Sequence, residues 1–169
     1  MPDRVRESVF AMLGAHFETP GALPPLTVAD VFAGSGSMGL EALSRGAERC
    51  IFYERQRNVL PVLRANIAAL SAGDMSEVIV RDAWTAAVMT PEGAAYHLIM
   101  LDPPYRESQD DSAGGAVGRY LARVAQGEGG PVVILHHERQ VRYAAPPAPN
   151  WRIVDQRTHG SNTVTMFLP

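Results

Sequence analysis

The sequence predicts one α/β domain in which helices cover both faces of a mostly parallel β-sheet that ends in an antiparallel hairpin. Three observations lead to this prediction. The length of 169 residues suits a single well-buried domain. From Thr27 onwards, short apolar runs alternate with helical segments, as is typical of parallel strands that are buried on both faces. The last two apolar runs are separated by only a short turn, which favours a hairpin.

The chain begins with a predicted amphipathic helix. Over residues 4–17, apolar side chains recur at spacings of three and four residues, and Asp3 is a suitable N-cap. Residues 18–25 are expected to form a loop because their prolines and glycine interrupt regular structure. Residues 1–26 are therefore expected to form an N-terminal helix and loop. Residues 27–169 are expected to form the core of the same domain.

Strands and helices are expected to alternate along this core. Apolar runs predict strands at 27–32, 49–54, 77–80, 96–101 and 131–135. Helices are predicted at 38–45, 58–70, 83–89 and 115–125. Pro61 is expected in the first turn of its helix, and Gly46 directly after the helix before it. The hairpin is predicted from the runs 151–156 and 163–168, with Gly160, Ser161 and Asn162 in its turn.

Composition and charge limit the classes of function. A hydrophobic content of 46% and a charged content of 20% argue against disorder, and Gly, Pro or polar residues interrupt every uncharged stretch before it could span a membrane. The net charge of −3 does not by itself indicate a nucleic-acid partner. The single cysteine, Cys50, cannot form an internal disulfide, which predicts a reducing, cytoplasmic environment. All fifteen basic residues are arginine. Arginine suits phosphate recognition, but a GC-rich genome explains the same bias, so the partner stays open.

A glycine-rich segment follows the first predicted strand. Residues 30–39 read DVFAGSGSMG, in which Gly34, Gly36 and Gly39 match the pattern G-x-G-x-x-G. Glycines here allow the backbone to turn tightly and approach a ligand that faces a helix N-terminus. An ordinary strand-to-helix turn explains the same pattern. The motif alone is therefore weak evidence for a nucleotide-type cofactor.

Acidic residues follow the next two strands. Glu54 ends the second strand, where a carboxylate can accept hydrogen bonds from the two hydroxyls of a ribose. This position supports a nucleoside ligand but does not choose between NAD and S-adenosylmethionine. Asp82 follows the third strand and could accept an adenine amino group. An acid at a strand end is, however, more often solvated or a helix cap.

The segment Asp102-Pro103-Pro104-Tyr105 indicates the chemistry most strongly. It follows the fourth strand, at the sheet edge where ligands gather. Two prolines fix the backbone and remove two N–H donors, so Asp102 and the Pro103 carbonyl can accept hydrogen bonds from an exocyclic amine. The lone pair of such an amine is delocalised, and holding its hydrogens exposes the nitrogen to an electrophile. Tyr105 can stack on the base that carries the amine.

These segments resemble a known family. DPPY is motif IV of amino methyltransferases that act on nucleobases, and together with DVFAGSGSMGLEALSRGA at 30–47 it makes the chain similar to the RsmD family of 16S rRNA guanine-N2 methyltransferases. The resemblance covers nearly the whole chain and includes DRVRESVF at 3–10, Glu54, Asn66 and HGSNTV at 159–164. DPPY is shared with adenine-N6 and cytosine-N4 enzymes. The first helix and the glycine segment therefore specify the family.

The resemblance implies a class I methyltransferase fold with a Rossmann-like, seven-stranded sheet. It implies S-adenosylmethionine as cofactor, 16S rRNA or the assembling small ribosomal subunit as partner, and a monomer without a metal ion or membrane attachment. The implied cofactor residues are Asp30, Phe32, Ala33, Gly34, Ser35, Gly36, Glu54, Asp82, Ala83 and Asp102. The implied catalytic residues are Asp102, Pro103, Pro104 and Tyr105. Arg4 and Arg6 match the arginine pair of the family near cofactor or RNA phosphates, although solvated helix charges explain them equally well.

One departure from the family and three alternatives bear on the partner. Members usually carry a basic, glycine-rich stretch before the first helix, and this chain starts at Met1. Weaker contact with RNA and unchanged cofactor binding are therefore expected.

Three alternative functions stay open at this point: a DPPY methyltransferase acting on adenine or cytosine of DNA, an NAD-dependent oxidoreductase, and a non-catalytic RNA-binding module.

Other reactive side chains are expected to be structural. His136 and His137 are adjacent, so on a strand they would point to opposite faces and could not bind one metal ion together. Cys50 lies in an apolar strand and is expected in the core. Trp84 and Trp151 are expected to pack rather than to hold a base.

Overall fold

A single mixed sheet organises the computed structural model, which describes residues 1–124, 130–141, 143 and 145–169. The strands are β1 (Thr27–Val31), β2 (Arg49–Tyr53), β3 (Ser76–Ile79), β4 (Leu98–Leu101), β5 (Val132–Glu138), β6 (Arg152–His159) and β7 (Asn162–Leu168). Their order in the sheet is β3-β2-β1-β4-β5-β7-β6. Strands β1 to β5 are parallel, and β7 is antiparallel to both β5 and β6. The predicted α/β class with a terminal hairpin is confirmed.

Helices flank this sheet on both sides. They are α1 (Asp3–His16), α2 (Ser37–Ser44), α3 (Leu60–Ala69), α4 (Ala83–Ala86) and α5 (Ala116–Leu121), and short 3₁₀ turns cover Gly73–Met75 and Tyr105–Glu107. The residue-125 end of the last predicted helix lies outside the described residues. None of the helices in the described part of the chain has the length and apolar content needed to cross a membrane.

Two apolar clusters cover the two faces of the sheet, because successive strand residues point to opposite sides. On one face, Cys50 and Phe52 of β2 pack with buried residues of α1, α2 and α3. On the other face, Ile51 belongs to a cluster that includes residues of α4 and α5. Trp151 lies in this second cluster and donates its indole N–H to the backbone of Leu121. The predicted core positions of Cys50 and Trp151 are therefore confirmed.

The first helix begins one residue earlier than predicted. Its N-cap is Pro2, whose carbonyl accepts the N–H groups of Val5 and Arg6, and none of the described side chains caps the helix. The prediction that Asp3 is the N-cap was therefore wrong. Asp3 lies in the first turn, where its charge is favourable beside the helix N-terminus, and it pairs with Arg6 at 3.0 Å.

Two local predictions about helix ends are confirmed. Pro61 occupies the first turn of α3, where its missing N–H leaves no helical bond unmade. Gly46 directly follows Arg45, the C-cap of α2, with a φ of 114°. A Cβ at Gly46 would lie 2.7 Å from the carbonyl oxygen of Leu23, so the position also requires glycine sterically.

The antiparallel end of the sheet differs most from the prediction. Strand β5 continues beyond 131–135 to Glu138, because His136, His137 and Glu138 each pair with a residue of β7. Asn162 was expected in the hairpin turn and instead begins β7, opposite His159. The turn is therefore shorter than predicted, and Gly160 supplies the left-handed backbone that tight hairpins need, with a φ of 60°. These shifts bring His136 and Asn162 to the same end of the sheet.

Candidate functional site

The carboxyl ends of β1, β2, β4 and β5 surround a cavity of about 430 Å³. This volume lies within the range of small-molecule sites, and the position is the one at which open α/β sheets bind ligands. The predicted site residues that line it are Phe32, Gly34, Glu54, Asp102, Pro103, Pro104 and Tyr105. Residues predicted for the cofactor and residues predicted for the amine thus share one cavity.

The glycine segment leaves β1 in a left-handed backbone conformation. Phe32 has a φ of 65°, which is uncommon for a bulky residue and marks local strain of the kind found at functional sites. Gly36 precedes α2 with a φ of 82°. A Cβ at Gly39 would lie 2.3 Å from the ring of Phe52 and 2.5 Å from the sulfur of Cys50. Glycine at this position therefore allows α2 to pack closely on β2.

Asp30 is hydrogen-bonded to this segment and is not among the residues that line the cavity. Its carboxylate accepts the N–H of Gly39 at 2.8 Å, and only 2% of the residue is exposed. Burial raises the pKa of Asp30 to about 7. The nearby carboxylates of Asp102 and Glu54 also raise this pKa, whereas the hydrogen bond from Gly39 lowers it. The contacts of Asp30 are those of a residue that positions the glycine segment.

Glu54 is held at the cavity wall by backbone groups. One carboxylate oxygen accepts the N–H of Gly34 at 3.0 Å, and the other accepts the N–H of Gln56 at 2.7 Å. Each oxygen of a carboxylate has a second lone pair, so both can accept a further hydrogen bond. The arrangement therefore leaves Glu54 able to bind a pair of ribose hydroxyls.

Asp82 lies beside a second, larger cavity of about 980 Å³. One of its carboxylate oxygens caps α4 by accepting the N–H of Trp84 at 3.0 Å, and the other lies 2.6 Å from the guanidinium of Arg55. Arg55 lines the smaller cavity, so this ion pair lies between the two cavities. Ala83, the residue after Asp82, is buried. Asp82 caps a helix, and its contact with adenine stays a prediction.

Three further cofactor candidates belong to the glycine segment without lining the cavity. Ala33 and Gly36 are buried, whereas Ser35 is exposed. The carbonyl of Ser35 accepts the side-chain amide of Asn66 at 2.9 Å. Asn66, on α3, thus ties the segment to its neighbouring helix.

The DPPY segment is connected to two side chains from other strands. The Nδ1 atom of His136 lies 2.7 Å from Oδ1 of Asp102, and Nε2 of His136 lies 2.9 Å from Oδ1 of Asn162. The hydroxyl of Tyr105 donates to the same Asn162 oxygen at 2.7 Å. Burial raises the pKa of Tyr105, which keeps its hydroxyl protonated as this bond requires. The result is a continuous chain of side chains from Asp102 to Tyr105.

Sequence reasoning missed the contribution of His136 and Asn162. Sequence reasoning considered His136 only as a metal ligand, and Asn162 only as part of the hairpin turn and of HGSNTV. The position of His136 was the available signal, because it lies near the carboxyl end of β5, the neighbour of the strand that Asp102 follows. His137 makes its contacts within the sheet. Its ring bonds to Thr165 and to the backbone of Glu138 on the other side of the strand.

Trp84 and the N-terminal arginines lie outside the smaller cavity. Trp84 packs edge-on against Phe32 at 5.0 Å, and its indole N–H donates to Glu107, in agreement with its predicted packing role. Arg4 is exposed on α1. Arg6 pairs with Asp3 and lines a separate groove beside α2 and α3. The structure therefore does not bring either arginine to the cavity wall.

Over the described ranges, no three His, Cys, Asp or Glu side chains are grouped as a metal site would require. The two carboxylates at the cavity, which could in principle bind a metal ion, have other partners. Asp102 contacts His136, and Glu54 contacts backbone amides.

A family model and named relatives match nearly the whole chain. The model described as conserved hypothetical protein 95 matches residues 1–168. The chain belongs to this family. Within it, the chain is 36% identical over 168 residues to ribosomal RNA small subunit methyltransferase D of Escherichia coli, covering 98% of this chain and 76% of that protein. The RsmD resemblance is thereby confirmed.

Solved structures agree with the family assignment. The Escherichia coli protein yhhF superposes with a TM-score of 0.75 at 27% identity, covering 98% of this chain and 84% of that one. An RNA methyltransferase from Salinibacter ruber, solved in complex with S-adenosyl-L-homocysteine, superposes with a TM-score of 0.69 at 16% identity. That likeness covers 100% of this chain and 93% of the other, and it concerns the fold. The predicted class I methyltransferase fold is confirmed.

Proposed function

We propose that the protein transfers a methyl group from S-adenosylmethionine to the exocyclic N2 amine of a guanine in 16S rRNA. One observation carries this proposal: Asp102, Pro103 and Tyr105 line the same cavity as Gly34 and Glu54. A site that holds a planar amine therefore adjoins a site suited to a nucleoside cofactor. Membership of a family that includes ribosomal RNA small subunit methyltransferase D supports the choice of rRNA as substrate.

The residues of the cofactor side fit S-adenosylmethionine. Glu54 presents carboxylate oxygens for the ribose hydroxyls, and Phe32 and Gly34 form the adjacent wall. Asp82 and Ala83 would border the adenine beside the larger cavity, with Arg55 between the two cavities. Asp30, Ala33, Ser35 and Gly36 would act by shaping the glycine segment. When bound, the cofactor supplies an electrophilic methyl group on a positively charged sulfur.

The residues of the amine side act on the nucleophile. Oδ1 of Asp102 is bonded to His136, and Oδ2, which lies 3.9 Å from the N-terminal ammonium of Met1, is the oxygen that would accept a hydrogen from the amine. The Pro103 carbonyl accepts the second hydrogen, so the nitrogen presents its lone pair to the methyl group. Pro104 keeps this backbone rigid, and Tyr105 stacks on the guanine. The Asp102 carboxylate is also the base on this wall that can take the proton lost after transfer.

RNA contacts outside the cavity belong to the same proposal. Arg4 is exposed and Arg6 is half-buried in its pair with Asp3, so Arg4 is the better placed of the two to meet a phosphate. The proposed partner is 16S rRNA or the assembling small subunit in the cytoplasm. The protein is proposed to act as a monomer and without a metal ion.

Identification of the methylated nucleoside tests this function directly. The purified chain is incubated with S-adenosylmethionine and one of three substrates: bare 16S rRNA, small subunits from a strain that lacks its own methyltransferase D, or double-stranded DNA. Nucleosides are then separated and identified by mass. We expect N2-methylguanosine in the 16S rRNA of at least one of the first two substrates.

Other outcomes would replace this function with a named alternative. N6-methyladenosine or N4-methylcytosine as the product would move the target to another base. Affinity for NADH without affinity for S-adenosylhomocysteine would favour an oxidoreductase. RNA binding without methyl transfer to any substrate would favour a non-catalytic module.

A further inference from the structure

Two residues outside the DPPY motif connect its acid to its aromatic ring. His136 of β5 lies between Asp102 and Asn162, and Asn162 of β7 receives the hydroxyl of Tyr105. We propose that His136 and Asn162 are positioning residues for methyl transfer, which hold Asp102 and Tyr105 in the relative placement that the target base requires. This inference rests on the proposed function.

His136 determines which oxygen of Asp102 is available. The histidine is only 3% exposed, and its Nδ1 contact of 2.7 Å engages Oδ1 of Asp102. The side chain of Asp102 is 28% exposed, and its other charged neighbour, the N-terminal ammonium of Met1, lies 3.9 Å from Oδ2, so without His136 the carboxylate would be restrained weakly. The shorter contact with His136 therefore selects one carboxylate orientation, in which Oδ2 is the oxygen left to meet the amine. A hydrogen bond to a charged carboxylate is among the stronger ones in proteins.

Asn162 restrains the ring of Tyr105, as His136 restrains the carboxylate of Asp102. The ring is 39% exposed, so packing alone restrains it weakly. Its hydroxyl donates to Asn162 at 2.7 Å, and its edge meets His136 with the ring centroids 5.8 Å apart. Both contacts fix the plane on which a base would stack. Holding a stacking surface and an acceptor in advance lowers the entropy cost of reaching the reactive geometry.

The contacts of His136 differ from those of its neighbour His137. Both histidines are buried on the same strand. The ring of His137 bonds to Thr165 and to the backbone of Glu138, and these partners belong to the sheet itself. The ring of His136 lines the cavity, and within the described part of the chain its hydrogen bonds go to Asp102 and Asn162. His137 is thus a matched control for a purely structural histidine.

The first test separates kcat from cofactor affinity in variants of His136. His136→Ala should lower kcat on rRNA about 100-fold, because a misplaced reacting group typically costs that much. The dissociation constant of S-adenosylhomocysteine, measured by calorimetry, should change less than about threefold. His136→Asn should recover kcat to within about tenfold of the wild type, because its amide can donate to Asp102 in place of Nδ1. His137→Asn should lower the melting temperature and leave kcat unchanged.

The second test asks whether Asn162 and Tyr105 act as one unit. Tyr105→Phe keeps the ring and removes the hydroxyl, so it should lower kcat by about tenfold without loss of folding. Asn162→Ala removes the amide oxygen that contacts both Tyr105 and His136, so it should cost more. If the two residues act through their shared hydrogen bond, the double variant should be no slower than Asn162→Ala alone.

Each outcome distinguishes this inference from the function on which it rests. Absence of methyl transfer by the wild-type chain would overturn the proposed function and this inference with it. Methyl transfer by the wild type would sustain the function. The inference alone would then be overturned by a kcat of His136→Ala within twofold of the wild type, by equal losses in His136→Ala and His136→Asn, or by additive losses in the double variant.

Discussion

The proposed cofactor half and the proposed amine half of the candidate site hold their carboxylates in different ways. In the cofactor half, formed by Asp30, Gly34, Gly39, Glu54 and Gln56, the acidic side chains are bonded to backbone N–H groups. In the amine half, formed by Asp102, Tyr105, His136 and Asn162, the bonds join one side chain to another. The cofactor half therefore depends on backbone conformation, and the amine half depends on residue identity.

The sequence separation of the partners differs as well. Asp30 and Gly39 are nine residues apart, and Glu54 and Gly34 are twenty apart. The partners of the amine half are between 26 and 57 residues apart. A local motif can therefore encode much of the cofactor half, whereas the amine half requires the whole sheet to be assembled. Substitutions should separate the two halves in experiment.

The largest expected effect is the loss of methyl transfer in Asp102→Ala. Removal of the carboxylate leaves an amine hydrogen without its acceptor, so kcat should fall about 10³-fold. Binding of S-adenosylhomocysteine should weaken far less than kcat falls, because Glu54 and Gly34 stay in place, although Asp102 is itself among the predicted cofactor residues. Radioactive methyl incorporation and calorimetry measure the two quantities. Asp74→Ala, at an exposed acid on a 3₁₀ turn, serves as the control. A parallel loss of cofactor affinity would show that the halves are not separable.

The converse change is Glu54→Ala in the cofactor half. Loss of the carboxylate removes its bonds to two backbone N–H groups and to the proposed ribose. The dissociation constant of S-adenosylhomocysteine should rise about 10- to 100-fold, since bonds to a charged group are worth about 1.5–3 kcal/mol. At saturating cofactor, kcat should fall far less than in Asp102→Ala. An unchanged dissociation constant would remove Glu54 from the cofactor site.

The backbone dependence of the cofactor half predicts a stability effect for Gly39→Ala. The added Cβ would lie 2.3 Å from Phe52 and 2.5 Å from Cys50, so α2 must move away from β2. The cost should be about 1–3 kcal/mol, which lowers the melting temperature by about 3–10 °C. Gly73→Ala is the matched control, because its Cβ would meet no atom within 4 Å. Equal melting temperatures for the two variants would contradict this explanation.

The smallest expected effect concerns the buried acid of the cofactor half. Burial raises the pKa of Asp30 to about 7, above its value in the unfolded chain. Between about pH 4 and pH 7 the folded state therefore holds a proton that the unfolded state has lost, so the contribution of Asp30 to stability decreases as pH rises. Above pH 7 the full cost of the buried charge is present.

Asp30→Asn removes this cost and keeps an acceptor for Gly39. The variant should melt about 2–4 °C above the wild type at pH 8, with a smaller difference at pH 5. Thermal unfolding at the two pH values measures this change. The interpretation would be wrong if the difference between variant and wild type were the same at both pH values.

Particular elements show how much of the structure could be predicted. The parallel strands and the core position of Cys50 followed from apolar runs, because burial on both faces leaves a clear mark in the sequence. The end of β5 and the start of β7 could not be predicted from the apolar runs. The apolar run that predicts β5 ends at residue 135, and pairing with β7 extends the strand over the polar residues 136–138. The N-cap was predicted at Asp3, one residue too late, because the carbonyl of Pro2 accepts the first helical hydrogen bonds.

The sequence by itself determined the fold class, the glycine segment and the DPPY acceptors, since each is encoded by neighbouring residues or by a repeating apolar pattern. Only the tertiary structure decided that His136 and Asn162 meet beside Asp102 and Tyr105. The physical reason is register. A shift of one residue between β5 and β7 would turn either side chain to the opposite face of the sheet. The side-chain partners of Asp102 are thus a property of strand pairing.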